Sequence, residues 1–348
     1  MTELHTLVEQ LRASRGFAHK SDISGVVSAF AQGPATASPV ALSVPNGDDT
    51  AAWSDGHGGH HLLAIEGLVE DFIERMPWFA GYSAVMVNIS DIYAMGGRPS
   101  AVVNALWSAD WPMAQSMIEG MATACARYGV PMVGGHSNRR SARAQLAVAI
   151  AGHAQRLMCS FQAQPGDQLL MAVDLRGQWQ EPFPYWNAST CAPAERLRGD
   201  LDVLAQLADE GLCDAAKDIS MAGALGTALM LLECSQVGAE VDIARIPRPA
   251  SVPPTALLRW LTAFPSFGFV LSVRPQHAAA VIQRFHARDL ACAAVGEVCA
   301  GSQLTLRDGA QRQLLWDWQA HAFIQPATSA VRAANTVAGS AETPSHAT

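Results

Sequence analysis

Apolar and polar positions fall into two series of helix-like and strand-like patterns, separated by one polar break. At the start, Leu4, Leu7, Val8 and Leu11 share a face of a predicted helix over 3–14. Val40 to Val44 reads as a short apolar strand, followed by a turn at Asn46-Gly47-Asp48-Asp49. Thr50 to Trp53 and His61 to Ile65 read as strands joined through Ser54-Asp55-Gly56-His57-Gly58-Gly59. Gly81 to Met95 is a predicted helix, apolar almost all round and so buried, and Gly96-Gly97 ahead of Pro99 ends it. Ala101 to Trp107 is strand-like, Pro112 to Tyr128 helical, and Val130 to Val133 and Leu146 to Ile150 strand-like. Gln155–Asp167, with its Gln-Pro-Gly-Asp, interrupts the pattern. Beyond it strands are expected at 168–173, 239–243, 267–273 and 292–298, and helices at 194–210, 221–235, 254–262 and 276–288. From Pro326 the chain is rich in Ala, Ser and Thr with few large apolar residues, which predicts disorder. The expected organisation is therefore one domain over 1–155, a second α/β domain over 165–322 and a loose tail over 326–348.

Composition narrows the class. Of 348 residues, 49% are apolar and 16% charged, a balance that suits a tightly packed α/β enzyme. A net charge of -8 argues against binding nucleic acid, which rests on Lys and Arg neutralising phosphates. A small anion stays compatible, because helix ends and bound cations act locally. The seven cysteines are scattered, odd in number and without a C-x-x-C pair, which reads as reduced thiols in the cytoplasm. The polar, amphipathic N-terminus has no signal-peptide core, and no apolar run is long enough for a membrane.

Candidate chemistry gathers in four stretches. Gly47-Asp48-Asp49 places two carboxylates side by side; it is either an ordinary turn or a pair of hard oxygen ligands suited to Mg²⁺. Asn88 and Asp91, spaced i, i+3 on the buried helix, share a face. No Lys or Arg lies between Arg75 and Arg98, so a metal is the expected partner of Asp91, with backbone capping as the alternative. Gly134-Gly135-His136-Ser137 follows a strand and is either a plain turn or a place where backbone amides approach a phosphate. In Lys217-Asp218-Ile219-Ser220, Asp218 or Ser220 either caps the next helix, or Asp218 reaches a metal while the helix start faces a phosphate. Neither G-x-x-x-x-G-K-[ST] nor G-x-G-x-x-G occurs, so a nucleotide would be held through acids and magnesium. His57, His60 and His61 sit around a glycine-rich turn and are expected to be solvent-exposed. The aromatic, proline-rich run Arg176 to Trp186 is either a binding wall for a substrate or a lid packed on the core.

Taken in order, Asp48-Asp49-Thr50-Ala51-Ala52, Asn88-x-Ser90-Asp91-Ile92-Tyr93-Ala94-Met95-Gly96-Gly97, Gly134-Gly135-His136-Ser137 and Asp218-Ile219-Ser220 resemble a known superfamily. It includes aminoimidazole ribonucleotide synthetase, selenophosphate synthetase and thiamine-monophosphate kinase. The second and third stretches look most like selenophosphate synthetase, and residues 40–300 as a whole are similar to bacterial proteins related to aminoimidazole ribonucleotide synthetase. The resemblance implies an α/β (α+β) fold of two domains: an N-terminal mixed sheet that forms a barrel in a homodimer, and a C-terminal α/β sandwich. It implies ATP and Mg²⁺ as cofactors, with Asp48, Asp49, Asp91 and Asp218 on the metal, and Asp48, Asp91 and Lys20 in catalysis. Glu66, Asn88, Gly134, Gly135, His136 and Ser137 would contact the nucleotide. The implied reaction is transfer of the ATP γ-phosphoryl group to an amide, carbonyl or phosphate oxygen of a small acceptor, by a phosphotransferase or a ligase. The alternatives are a non-catalytic nucleotide-binding or scaffolding relative, or an enzyme of selenophosphate synthetase or thiamine-monophosphate kinase type. Against those two, Phe17-Ala18-His19-Lys20 lacks the Cys that precedes the Lys in selenophosphate synthetases, and Ser266 to Leu271 lacks the acids of the thiamine kinases.

Overall fold

The structure, a computed structural model, describes residues 3–31 and 41–325. Three helices open the chain: α1 (Glu3–Arg12), α2 (Arg15–Ser21) and α3 (Ile23–Ala31). A first α/β unit follows, with β1 (Ala51–Ser54), β2 (His60–Gly67), α4 (Glu70–Arg75), α5 (Pro77–Ala94), β3 (Arg98–Trp107), α6 (Trp111–Tyr128), β4 (Met132–Asn138) and β5 (Gln145–Ala154). A second begins with β6 (Gln168–Val173), the hairpin β7 (Gln178–Gln180) and β8 (Tyr185–Asn187), α7 (Ala194–Asp209), β9 (Ala215–Asp218) and α8 (Gly223–Ser235). It continues with β10 (Gly238–Asp242), α9 (Leu257–Leu261), β11 (Gly268–Val273), α10 (Pro275–His286), β12 (Ala291–Cys299), β13 (Gln303–Asp308) and β14 (Gln311–Asp317).

The first sheet runs β1-β2-β5-β3-β4 and is mixed, because β3 and β4 pair in parallel while the other neighbours are antiparallel. Helices α5 and α6 cover one face, and they come close through two glycines. A Cβ on Gly81 would stand 2.1 Å from the Met117 carbonyl, and one on Gly120 2.0 Å from that of Trp78. Asp110 caps α6 by accepting the Met113 amide at 2.9 Å. The second sheet runs β14-β13-β10-β12-β6-β11-β9 and is covered on both faces. Strand alternation divides its interior strand β6: Leu170 and Ala172 join the core shared with α5, whereas Leu169, Met171 and Val173 join the core under α8. That is why 168–173 reads as an unbroken apolar run. It is also why α5 is apolar all round, since it lies between the first sheet and the second unit.

The opening helix does not join the first sheet. Leu4, Leu7, Val8 and Leu11 pack in the core under α8, Arg12 donates to the carbonyls of Leu315 and Leu314 at 2.8 and 3.0 Å, and Phe17 meets Phe323 at 5.3 Å. Strands β13 and β14 and the β7–β8 hairpin had no counterpart in the sequence reading. The strand read at Val40 to Val44 is reduced to one antiparallel bridge from Leu42 to Trp53, Val40 lying outside the described residues. The tail from Pro326 lies outside them as well. No helix among the described residues is long and apolar enough to cross a membrane. All seven cysteines are free.

Candidate active site

Between the two units lies a cavity of about 340 Å³ whose floor is acidic and whose outer wall is aromatic. Four elements supply the floor. Asp49 sits in the turn before β1, Glu66 near the end of β2, Asp91 in the last turn of α5 and Asp218 at the end of β9. One carboxylate oxygen each of Asp49, Asp91 and Asp218 lies within 4.8 Å of the others. An octahedral Mg²⁺ at ~2.1 Å from its ligands places their oxygens about 3–4 Å apart, so a small closure suffices. Asp91 is 5% exposed, and its Oδ2 is buried with no hydrogen-bond partner among the described residues. A lone buried carboxylate oxygen is costly unless a cation completes it, and the hard donor set fits magnesium.

Asp48, expected on the metal, is turned away from this group. Its Oδ2 accepts the Ser160 amide at 2.8 Å, and its Oδ1 accepts the Ser160 hydroxyl at 2.6 Å and the Asp49 amide at 2.9 Å. It anchors the turn that aims Asp49. Asp49 in turn accepts the Lys217 ammonium on Oδ1 and the Asp218 amide at 3.3 Å on Oδ2. Lys217 also lies 3.8 Å from Asp48. Lys20, in the last turn of α2, lines the cavity beside His19.

Burial dominates the electrostatics. It raises Asp91 well above the ordinary carboxylate value, helped by Asp218, Glu66 and Asp49 and opposed by Lys217. Asp218 is pushed up to about 8 by burial and then by Asp49. Burial also raises Glu66, with Lys20 opposing, and Asp48, with Lys217 opposing. For Lys217 burial acts downward, but Asp49 and Asp48 reverse it and hold the ammonium above its ordinary value. The cluster is thus short of positive charge when all its acids ionise.

The other expected residues lie elsewhere. Asn88 is fully buried and faces the first sheet, donating to the carbonyls of Ala84 at 2.7 Å and Val148 at 2.9 Å. The i, i+3 spacing leaves it about 60° round the helix from Asp91, enough to separate a sheet-facing from a cavity-facing side chain. Gly134, Gly135, His136 and Ser137 form the exposed edge strand β4 and do not line the cavity. His136 and Ser137 instead border a surface cleft with Trp111, Arg139 and Arg140. Helix α8 has no side-chain cap, so neither Asp218 nor Ser220 serves as one, and Ser220 Oγ is buried without a hydrogen-bond partner among the described residues. His60 accepts from or donates to Ser43 at 2.9 Å, and His61 packs between Trp53 and His153. Among the described residues only Asp49, Asp91 and Asp218 form a group of three or more such ligands.

In the aromatic run, Trp186 is 3% exposed, donates to the Asp174 carbonyl at 2.9 Å and meets Trp260 at 5.2 Å. Trp179 lies under the Arg259 guanidinium at 4.1 Å. Both tryptophans therefore belong to the packing of the second unit. Their neighbour Tyr185 lines the cavity, 4.8 Å from Phe72 and 4.6 Å from Phe264. The part played by Lys217 and Ser160, and the contribution of Phe72 and Phe264 to this wall, were missed in the sequence, whereas Tyr185 lies in the run read there as a possible binding wall. One signal was available: Lys20 and Lys217 are the chain's two lysines, against 21 arginines, and both line the cavity.

Comparison with known proteins gives consistent matches. Residues 47–154 match the family described as AIR synthase related protein, N-terminal domain, and residues 178–309 match its C-terminal domain. An uncharacterized protein of Synechocystis sp. is 45% identical over 317 residues, covering 91% of this chain and 96% of that protein. Selenide, water dikinase of Myxococcus xanthus is 27% identical over 191 residues, covering 52% of this chain and 54% of the enzyme. The structure of T. maritima PurL complexed with AMPPCP is similar with a TM-score of 0.67 at 18% identity, over 90% of this chain and 51% of the PurL chain. This chain thus spans about half the length of PurL.

Proposed function

The chain belongs to the AIR synthase related family, and from that premise we propose that it is a magnesium-dependent enzyme that transfers the γ-phosphoryl group of ATP to an oxygen of a small acceptor. One observation carries this reading: the unpartnered Asp91 Oδ2, buried beside Asp49 and Asp218 at the floor of a cavity between the units. The PurL neighbour bound to an ATP analogue and the relative named as a dikinase point the same way.

Asp49, Asp91 and Asp218 would hold Mg²⁺, which supplies positive charge to the phosphates as the γ-phosphoryl group leaves. Asp48 fixes the Asp49 turn through Ser160. Lys20 and Lys217 present ammonium groups to the same cavity. No side chain becomes covalently modified: the bond between the β–γ bridging oxygen and the γ-phosphorus breaks, and the acceptor oxygen bonds to that phosphorus. Phe72, Tyr185 and Phe264 form the wall for the acceptor and exclude water from the transfer.

The outer face of the first sheet supports a homodimer. Leu63 is 48%, Ile65 68%, Val103 40% and Val133 64% exposed, on the face opposite α5 and α6. Pairing of that face in a second copy would cover it.

The first test is thermal stability of the full chain with AMPPCP and Mg²⁺. We expect a rise of the midpoint with both ligands that exceeds the rise with Mg²⁺ alone and is absent in Asp91→Asn. No rise at any concentration would overturn the reading.

A further inference from the structure

Lysine is used nowhere in this chain except at the cavity, and Lys217 is 4% exposed there. Among the described residues the other cationic partners of carboxylates are arginines, as in the buried networks of Asp174 and Asp200, apart from histidine, as in His153 on Asp55. The two side chains differ in shape: guanidinium is a broad planar fork, whereas ammonium is a compact point charge. Lys217 places that charge on Asp49 Oδ1 with Asp48 Oδ1 at 3.8 Å, between two adjacent carboxylates that would otherwise draw a cation. Its place is fixed from both ends. Strand β9 pairs Lys217 with Val270, and Asp48 is held by Ser160.

We propose that Lys217 is a tethered cation occupying one of two cation positions at this acid cluster, so that the protein binds a single divalent ion, at Asp49, Asp91 and Asp218. The same acids without the lysine would bind two. This inference rests on the cluster being a metal site. Asp49 is the shared member: its carboxylate faces the ammonium and also contributes to the group with Asp91 and Asp218. A fixed positive charge a few ångströms away repels a divalent ion twice as strongly as a monovalent one, and the low dielectric of a buried site leaves that repulsion little screened. The lysine thereby supplies a positive charge that cannot dissociate, and it sets the metal stoichiometry without adding a ligand.

The test is Mn²⁺ binding to the full chain without nucleotide, followed by the electron paramagnetic resonance signal of free Mn²⁺. We expect one Mn²⁺ per chain in the native protein, none at this site in Asp91→Asn, and two in Lys217→Met. Two ions in the native protein would overturn the inference, and so would a single ion in a folded Lys217→Met. If circular dichroism shows that Lys217→Met is unfolded, Lys217→Gln is measured instead, with the same two outcomes. The two readings fail differently. No binding by any of these proteins removes the metal site itself, whereas a single ion that Asp91→Asn abolishes and Lys217→Met leaves at one removes only the role of Lys217.

Discussion

The acid cluster and the Gly134–Ser137 strand both carry sequence motifs, yet they occupy opposite environments. The cluster draws Asp49, Asp91 and Asp218 from a turn, a helix and a strand of both units into one cavity. The glycine strand is a continuous segment on an exposed sheet edge, away from that cavity. In the cluster, burial makes the charged form of Asp91 costly and leaves its Oδ2 without a hydrogen-bond partner among the described residues. On the edge, the same kinds of polar group are satisfied by water and create no such demand. A site assembled from distant pieces thus announces its ligand within one chain, whereas an edge segment needs a second surface before it can act.

The largest effect that would sharpen this contrast is that of Asp91→Asn. Magnesium-dependent ATP consumption should fall by at least ~10³-fold, as when a principal charge-stabilising group is lost. The metal-free unfolding midpoint should meanwhile hold or rise, because an uncompensated buried carboxylate has been removed. A coupled ATP assay and thermal melts check both, and a fully active variant would break the contrast at its centre. Next in size, Ile65→Asp on the outer sheet face should convert a dimer to monomers in light scattering, with the melting of the monomer within ~0.5 kcal/mol of native stability. If activity then also falls, the edge strand gains its role across the dimer; if the native protein is already monomeric, the edge stays a plain surface.

A smaller effect separates two neighbours on one helix. Asn88→Ala should cost ~1–3 kcal/mol in denaturant unfolding, since two buried hydrogen bonds to carbonyls are lost. Its Mg²⁺ dependence should stay native, the reverse of Asp91→Asn. The smallest expected effect is one of pH. Asp218 titrates near 8 in the folded chain, above its value of 3.8 when unperturbed, so the folded state binds a proton that the unfolded state has already released. Metal-free stability is then greatest below about pH 4 as far as this group is concerned, and is lost as pH rises toward and through 8. Saturating Mg²⁺ should cancel that loss, because the ion favours the ionised carboxylates. Melts at pH 6 and pH 8.5, with and without Mg²⁺, would show a drift of a few degrees, or refute it.

Much of the fold was legible from local pattern. The strand 168–173 and the helix 194–210 emerge within a residue of their observed limits, because apolar runs and helical spacing are properties of the segment itself. The β7–β8 hairpin and strands β13 and β14 were not legible, since three-residue strands and charged edge segments carry little periodic signal. For the site, the motif around Asp91 drew notice because a carboxylate stood in an apolar helix without a nearby cation. Lys217 was passed over, although it adjoins Asp218, because nothing local reveals that it reaches Asp49 from a residue 168 positions away.

By itself, the sequence determined the two-unit α/β plan, the buried character of α5 and the set of acids from which a cation site can be built. Only the tertiary structure decided which acids meet: Asp48 turns to Ser160, Asn88 to the first sheet, Trp179 and Trp186 to the second core, and Lys217 to Asp49. The reason is physical. Periodicity fixes which way a side chain points from its own element, whereas a charge's partner is fixed by how distant elements pack, and burial then sets what that charge requires.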